Sequence, residues 1–256
     1  MDRPRLGVFK LTSCDGCQLT LLDLEDELLA IAAGLEIVCF TELTSASDPR
    51  GPFDVVLVEG SISTPEQREQ IQEIRARTPV LIAIGACASA GGLQALRNFA
   101  DHAEFVRAVY ARPDHIASLA TSTPISAHVP VDLELRGCPI DKGQLRELVT
   151  ALLAGRRPNL PTQSVCMQCK AAGQVCVTVA RGVPCLGPVT QAGCGALCPR
   201  FARGCYGCFG PYAGGSPPAL SRRLAVLGQS RAEIQRAFRF INGWAEAFRA
   251  EGDRHD

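Results

Sequence analysis

No stretch of this 256-residue chain has the continuous apolar run that a membrane span requires. The longest notable uncharged stretch, Pro79 to Leu96, is broken by Gly85, Gly91, Gly92 and polar residues, and it reads as a buried strand, a turn and a helix start. The opening residues lack the apolar core and the small-residue cleavage site of a secretory signal, so the expected location is cytoplasmic, with no membrane insertion. An excess of one charge is absent as well. Lys plus Arg and Asp plus Glu each number 26, so nucleic-acid binding driven by overall basic charge is not indicated. No G-x-G-x-x-G follows a predicted strand and no G-x-x-x-x-G-K-[ST] loop occurs, so neither a dinucleotide site nor a P-loop is visible. The four histidines, His102, His115, His128 and His255, are scattered without metal spacing and read as surface or satisfied core residues.

What the chain has in excess is cysteine, at 13 residues. A composition of 46% hydrophobic and 20% charged residues otherwise fits a soluble globular protein with a sizeable core. In a reducing compartment, that many thiols point to metal or redox work rather than to structural disulfides. The zero net charge conceals an asymmetry. Residues 1–156 hold 14 basic and 21 acidic side chains, a net of −7, whereas residues 157–256 hold 12 basic and 5 acidic, a net of +7. Eight of the cysteines crowd between Cys166 and Cys208. The expected domains are therefore residues 1–157, a cysteine-rich module over 158–215, and a helical segment over 216–256.

In the first region, Leu6–Leu11, Leu35–Thr41, Phe53–Val58, Val80–Ile84 and Val129–Leu135 read as strands. Between them, leucines from Leu19 to Leu29 and Ile31 sit at helical spacing, with Asp23, Glu25, Asp26 and Glu27 on the wet face. Thr64-Pro65 supplies an N-cap and an N1 proline for a helix reaching about Arg77, and another helix runs from about Asp141 to Leu153. Strands alternating with helices predict an α/β fold with a doubly wound, flavodoxin-like parallel sheet.

In such sheets ligands gather beyond the carboxyl ends of the strands. Cys14, Cys17, Cys87 and Cys138 each follow a predicted strand and so fall at that rim. Any one of them suits a small buried cysteine, but four at one rim favour a coordination site. Cys14 and Cys17 precede a helix whose dipole favours the thiolate, and Gly16, Gly85 and Gly137 allow close approach of a bulky inorganic core. Cys39, inside a strand, reads as core packing. Glu59, at a strand end on the same rim, is a candidate for support behind the metal ligands or for proton handling. Its plainer reading is a carboxylate capping backbone amides.

The second region carries Cys166, Cys169, Cys176, Cys185, Cys194, Cys198, Cys205 and Cys208, with Gly and Pro dense between them. Few residues there can build an independent core, so inorganic staples are expected to hold its shape. Eight cysteines suit two 4Fe–4S cubanes, and Cys198-Pro199 is similar to the closing cysteine of bacterial ferredoxins. A zinc ribbon from Cys166, Cys169, Cys205 and Cys208 is the rival, although its gap is long and it leaves four cysteines over. Without Cys39, twelve cysteines suffice for three cubanes, an electron wire in a chain with no obvious substrate site. The C-terminal stretch Leu220–Arg249 reads as one or two helices, with Ile234, Phe238, Ile241, Trp244 and Phe248 forming an apolar stripe that would either dock on a partner chain or, the preferred reading, pack on its own chain. The excess arginines of this half would partly offset two anionic clusters.

Leu11-Thr12-Ser13-Cys14-Asp15-Gly16-Cys17-Gln18-Leu19, Val58-Glu59-Gly60-Ser61, Gly85-Ala86-Cys87-Ala88 and Gly137-Cys138-Pro139 together resemble the small subunit of NiFe hydrogenases. That fold is shared by the related cluster-bearing subunit of respiratory complex I. Pro184-Cys185-Leu186-Gly187-Pro188-Val189-Thr190 and Gly204-Cys205-Tyr206-Gly207-Cys208 resemble the cytoplasmic group-3 enzymes, among them the sulfhydrogenases and the viologen- or deazaflavin-linked forms. The resemblance spans about residues 5–215. The complex I relative has adjacent cysteines where this chain has Cys14-x-x-Cys17, and it lacks the eight-cysteine module. Neither a twin-arginine signal nor a histidine ligand of the membrane-bound hydrogenases is apparent.

The resemblance implies that Cys14, Cys17, Cys87 and Cys138 hold a proximal 4Fe–4S cluster. It further implies that the eight later cysteines hold a medial and a distal cluster, in a division left open. The NiFe centre would sit on a partner large subunit, so no catalytic residue is expected on this chain. Electrons would leave toward a diaphorase or other acceptor subunit, and NAD(P) and flavin, if used, would be bound by other subunits. An iron–sulfur subunit of another redox complex, without NiFe, is the alternative.

Overall fold

Short runs of β-branched and aliphatic residues form the centre of the first unit. In the computed structural model, which describes residues 3–256, these runs are β1 (Arg5–Lys10), β2 (Glu36–Phe40), β3 (Val55–Glu59), β4 (Val80–Ile84) and β5 (Leu133–Leu135). They pair in parallel in the order β2-β1-β3-β4-β5, which is the flavodoxin-like winding. Every residue of β3 is buried, as expected of a central strand covered on both faces.

The helices of this unit are α1 (Gly16–Leu22), α2 (Asp26–Gly34), α3 (Pro65–Arg77), α4 (Gly85–Ala90), α5 (His102–Val109) and α6 (Lys142–Leu153), with a 3₁₀ segment over Leu93–Phe99. Helix α3 starts as the sequence predicts. The Thr64 side chain accepts from the Gln67 amide while Gln67 reaches back to the Thr64 amide, and Pro65 occupies the first turn. The apolar side of the helix, Ile71 and Ile74, is fully buried in a core with Phe9, Val56, Val58, Leu81 and Ile125. Cys39 belongs to that core, 2% exposed.

Two elements differ from the sequence reading. The helix anticipated through Leu19–Ile31 is broken into α1 and α2, with Glu25 in between at a φ of +52°. The break falls in the acidic run Asp23–Glu27, where like charges at helical spacing repel. Strand β5 is also shorter than Val129–Leu135. Pro130 has no N–H to give a ladder, and the Asp132 carboxylate takes the Leu81 amide at 2.7 Å.

The second unit, Leu160–Asp256, contains α7 (Val165–Ala171), α8 (Val177–Arg181), α9 (Leu197–Arg200), α10 (Pro217–Val226), α11 (Arg231–Phe238) and α12 (Glu246–Asp253). The C-terminal stretch is thus three helices rather than one or two, because Gly228 at a φ of +87° and the Ser230–Glu233 capping box start a new helix. Ile234, Phe238 and Phe248 pack on their own chain with Leu220, Leu224, Leu186 and Val189, so the cysteine-rich segment does own part of a hydrophobic core. Among the described residues no helix is long and apolar enough to cross a membrane.

Replacing Ile71 with alanine should lower the stability of the chain by about 2–5 kcal/mol. Thr64→Ala, which removes only a cap, should cost about 1 kcal/mol. Urea unfolding midpoints compared at constant slope would check both values.

Candidate metal centre

The register of the sheet places four strand ends side by side. Lys10 pairs with Glu59, Glu59 with Ile84, and Ile84 with Leu135. The segments that continue from β1, β4 and β5 therefore leave the same edge, and they carry Cys14 and Cys17, Cys87, and Cys138. Cys14 lies exposed in the loop, followed by Asp15 in the left-handed conformation at a φ of +67°, paired with Lys10. Cys17 is buried in the first turn of α1, Cys87 sits in α4, and Cys138 lies in the turn closed by the Gly137–Ile140 bridge. The Ala86 amide donates to the Gly137 carbonyl at 2.7 Å, which ties the segment of Cys87 to that of Cys138.

The four sulfurs are close enough to affect one another. Burial pushes the Cys17 thiol well above the usual thiol range, with Glu59, Cys87 and Cys138 adding to the effect. Cys87 is pushed up to about 11, first by burial and then by Cys138, Cys14 and Glu59. Cys138 rises through burial, Cys14 and Glu59. The expected thiolate preference from the helix dipole is thus outweighed at Cys17, because desolvation of a buried charge exceeds the pull of a helix terminus. Among the described residues no group of three or more His, Cys, Asp or Glu side chains is placed to hold a single metal ion.

Glycines make the room. Gly85 has a φ of +85°, and a Cβ there would stand 2.4 Å from Cys17 Sγ. At Gly92, with a φ of +63°, a Cβ would stand 2.6 Å from Cys87 Sγ. Four thiols at one rim, beside backbone that admits no side chain, fit a multi-iron core in which each iron takes one thiolate.

Glu59 is 1% exposed, and its carboxylate accepts from the Cys17 amide at 3.2 Å and the Gln18 amide at 3.1 Å. The capping geometry of the plainer sequence reading is therefore present, and it fixes the first turn of α1. Burial raises the Glu59 pKa, and the two amide bonds pull it back. One participant escaped the sequence reading. Gln94, on the 3₁₀ segment, faces Cys87 Sγ with its Oε1 at 3.5 Å and donates from Nε2 to the Thr12 carbonyl at 3.0 Å. Its only signal in the sequence is the Gly91-Gly92 pair that turns the chain back after α4.

The second unit gathers the other eight cysteines. Cys166 and Cys169 lie on α7 behind the Ser164 cap, Cys176 precedes α8, and Cys198 lies on α9. Burial raises Cys166, with Cys176 and Cys185 adding to it, and Cys169 feels Cys166, Cys185 and Cys176 in the same way. Cys198 is raised by burial and by Cys194, whereas Cys205 is raised by burial and by Cys185 and Cys208. Cys185 Sγ accepts from the Cys205 amide at 3.2 Å, which brings the two groups next to each other. Three of the four histidines bond elsewhere: His102 to Ser118, His128 to Thr123 and His255 to Glu251.

Residues 14–152 match the family described as NADH ubiquinone oxidoreductase, 20 Kd subunit. The chain is 37% identical to sulfhydrogenase 2 subunit delta of Pyrococcus furiosus, over 94% of this chain and all of that one. Among solved structures, a chain of an NAD+-reducing [NiFe]-hydrogenase in the H2-reduced state matches with 30% identity and a TM-score of 0.58, over 62% of this chain and 96% of that one. A chain of the actinobacterial-type NiFe-hydrogenase of Ralstonia eutropha H16 has the same fold at 16% identity, with a TM-score of 0.61 over 93% of this chain and 89% of that one.

Removing the Glu59 carboxylate leaves two amides at the start of α1 without their acceptor. Glu59→Ala should cost about 1–3 kcal/mol, with a smaller loss for Glu59→Gln, which keeps one acceptor oxygen. Denaturant unfolding of the two variants alongside the parent would check that order.

Proposed function

The chain belongs to the small-subunit family of NiFe hydrogenases, and on that premise we propose that it relays electrons through three 4Fe–4S clusters. The relay joins a NiFe site on a partner large subunit to an acceptor module. The observation that carries this reading is the gathering of Cys14, Cys17, Cys87 and Cys138 at one sheet edge from three separate segments. These four residues would hold the proximal cluster. Cys166 and Cys169 both feel Cys176 and Cys185, which favours one further cluster on those four, with Cys185 also acting on Cys198 and Cys205 at the border between the two sets. Cys194, Cys198, Cys205 and Cys208 then remain for the third.

When bound, the clusters supply one-electron storage and transfer. This chain's residues do the rest. Buried thiols whose ionisation is disfavoured give up their protons to metal binding rather than to bulk water, so cofactor uptake releases protons and weakens in acid. The capped α1 and the glycines at 85 and 92 keep the ligating sulfurs at fixed places, which limits reorganisation on electron transfer. Glu59, buried beside Cys17 with its carboxylate on the Cys17 and Gln18 amides, is proposed to support that ligand from behind. The acceptor is proposed to be a diaphorase-type module whose NAD(P) and flavin reside on other subunits, and the location to be cytoplasmic. The NAD+-reducing relative supports the first of these.

Anaerobic purification should return about twelve irons and twelve acid-labile sulfides per chain. Stoichiometric zinc without sulfide would refute the proposal. A nickel-bearing large partner should co-purify, and its absence would count against the hydrogenase assignment. Gly85→Ala, whose Cβ would collide with Cys17 Sγ, should lose about a third of the iron. Gly155→Ala bears similar backbone strain in open space and should keep the full complement.

A further inference from the structure

Gln94 joins two of the segments that carry the first set of cysteines. The chain leaves α4 through Gly91 and Gly92, at φ of +82° and +63°, and returns as the 3₁₀ segment. That reversal is tight: a Cβ on Gly92 would stand 2.6 Å from both Cys87 Sγ and Gln94 Oε1, and one on Gly91 would stand 2.8 Å from Ala95 Cβ. Only glycine at both positions brings Gln94 against the sulfur of a residue seven positions earlier. Its Nε2 holds the Thr12 carbonyl, two residues before Cys14.

The thiol of Cys87 donates to Gln94 Oε1. An iron-bound thiolate has no proton to donate and can only accept. The primary amide carries two N–H donors on one nitrogen, about 120° apart, so Nε2 can keep Thr12 O and turn its second hydrogen toward Cys87 Sγ. We propose that Gln94 is a positioning residue for the proximal cluster, donating an N–H to the Cys87 sulfur and thereby setting that cluster's reduction potential. The proposal rests on the electron-relay reading above. One-electron reduction adds negative charge to the iron–sulfur core and its ligating sulfurs, and a donor aimed at sulfur stabilises the reduced form. Gln94 thus makes the first acceptor of the wire easier to reduce.

The amide can be removed without leaving a buried orphan. The Thr12 carbonyl also accepts from the Ser61 amide at 2.9 Å and the Ser61 hydroxyl at 3.3 Å. Asn98 lies on the same 3₁₀ segment and bonds the backbone of Ser122 rather than a cysteine, so it serves as the control.

The test is an anaerobic redox titration of the cluster-loaded full chain, followed by EPR, with the proximal signal identified as the one missing from Cys14→Ala. In Gln94→Leu the proximal oxidised-to-reduced ratio at a fixed potential should rise roughly tenfold, a downward shift of about 59 mV for one electron. Gln94→Glu keeps the shape, loses the donors and adds charge, so it should shift at least as far in the same direction. Asn98→Ala should titrate as the parent does. An unchanged midpoint in both Gln94 variants, or an equal shift in Asn98→Ala, overturns the assignment while leaving the relay reading intact. A chain that takes up no iron and sulfide overturns both.

Discussion

The alignment of strand ends across β1, β3, β4 and β5 is the constraint on which the candidate site depends. Lys10, Glu59, Ile84 and Leu135 lie in one line, and every cysteine of the first set is carried by a segment that leaves the sheet there. The packing of Val56, Val58, Leu81 and Ala83 into one core on one side of the sheet helps to hold that register. A slip by one residue would turn those side chains to the opposite face and carry each loop out of line. Core packing and ligand geometry are therefore one problem: the apolar residues that make the fold stable also determine where sulfur can stand.

Electrostatics in the first unit works against free thiolate. Burial dominates at Cys17, Cys87 and Cys138, and the carboxylate of Glu59 adds to it at all three. A bound cation would offset that penalty, because metal binding makes the charged ligand favourable at such a site. The second unit is tuned differently. Lys170 pulls Cys166 down against burial, and Arg203 does the same at Cys198. Much of the basic excess serves other ends: Arg239 pairs with Asp253 and Asp256, and Arg249 lies 4.5 Å over the Trp244 ring. An oxidised cubane with four thiolates carries roughly −2. The offset of that charge then falls to the few basic residues beside the cysteines rather than to the net balance of +7.

How much of this was legible beforehand depends on the range of the interaction. Helix α3 was readable to its ends because its signals, Thr64, Pro65 and the Ile71–Ile74 spacing, are local. The rim cysteines were readable because each follows a strand. The shortening of β5 was not, since it turns on Asp132 reaching Leu81 across fifty-one positions. The break between α1 and α2 was missed because leucine periodicity continues through it, and only the acidic run opposes it. Gln94 was invisible for a related reason. A glutamine in an irregular segment has no pattern, and its partners at Cys87 and Thr12 are set by two glycines whose conformations emerge only with the fold.

The second unit shows that a cysteine-rich segment can draw part of its shape from packing on neighbouring helices. Leu186 sits next to Cys185 in the chain, and its amide donates to the Cys205 carbonyl at 3.0 Å while its carbonyl accepts from the Thr190 hydroxyl at 2.7 Å. Its side chain lies in the core with Leu220, Leu224, Phe238 and Phe248. Asn242, from the turn between α11 and α12, donates to the Gly207 carbonyl at 2.8 Å between Cys205 and Cys208. The C-terminal helices thus hold the backbone around three of the eight sulfurs directly. Where folding precedes metal, less of the binding free energy is consumed in ordering the chain. Ligands held in advance also move less when the charge at the site changes, which is the condition for passing electrons quickly rather than merely storing them.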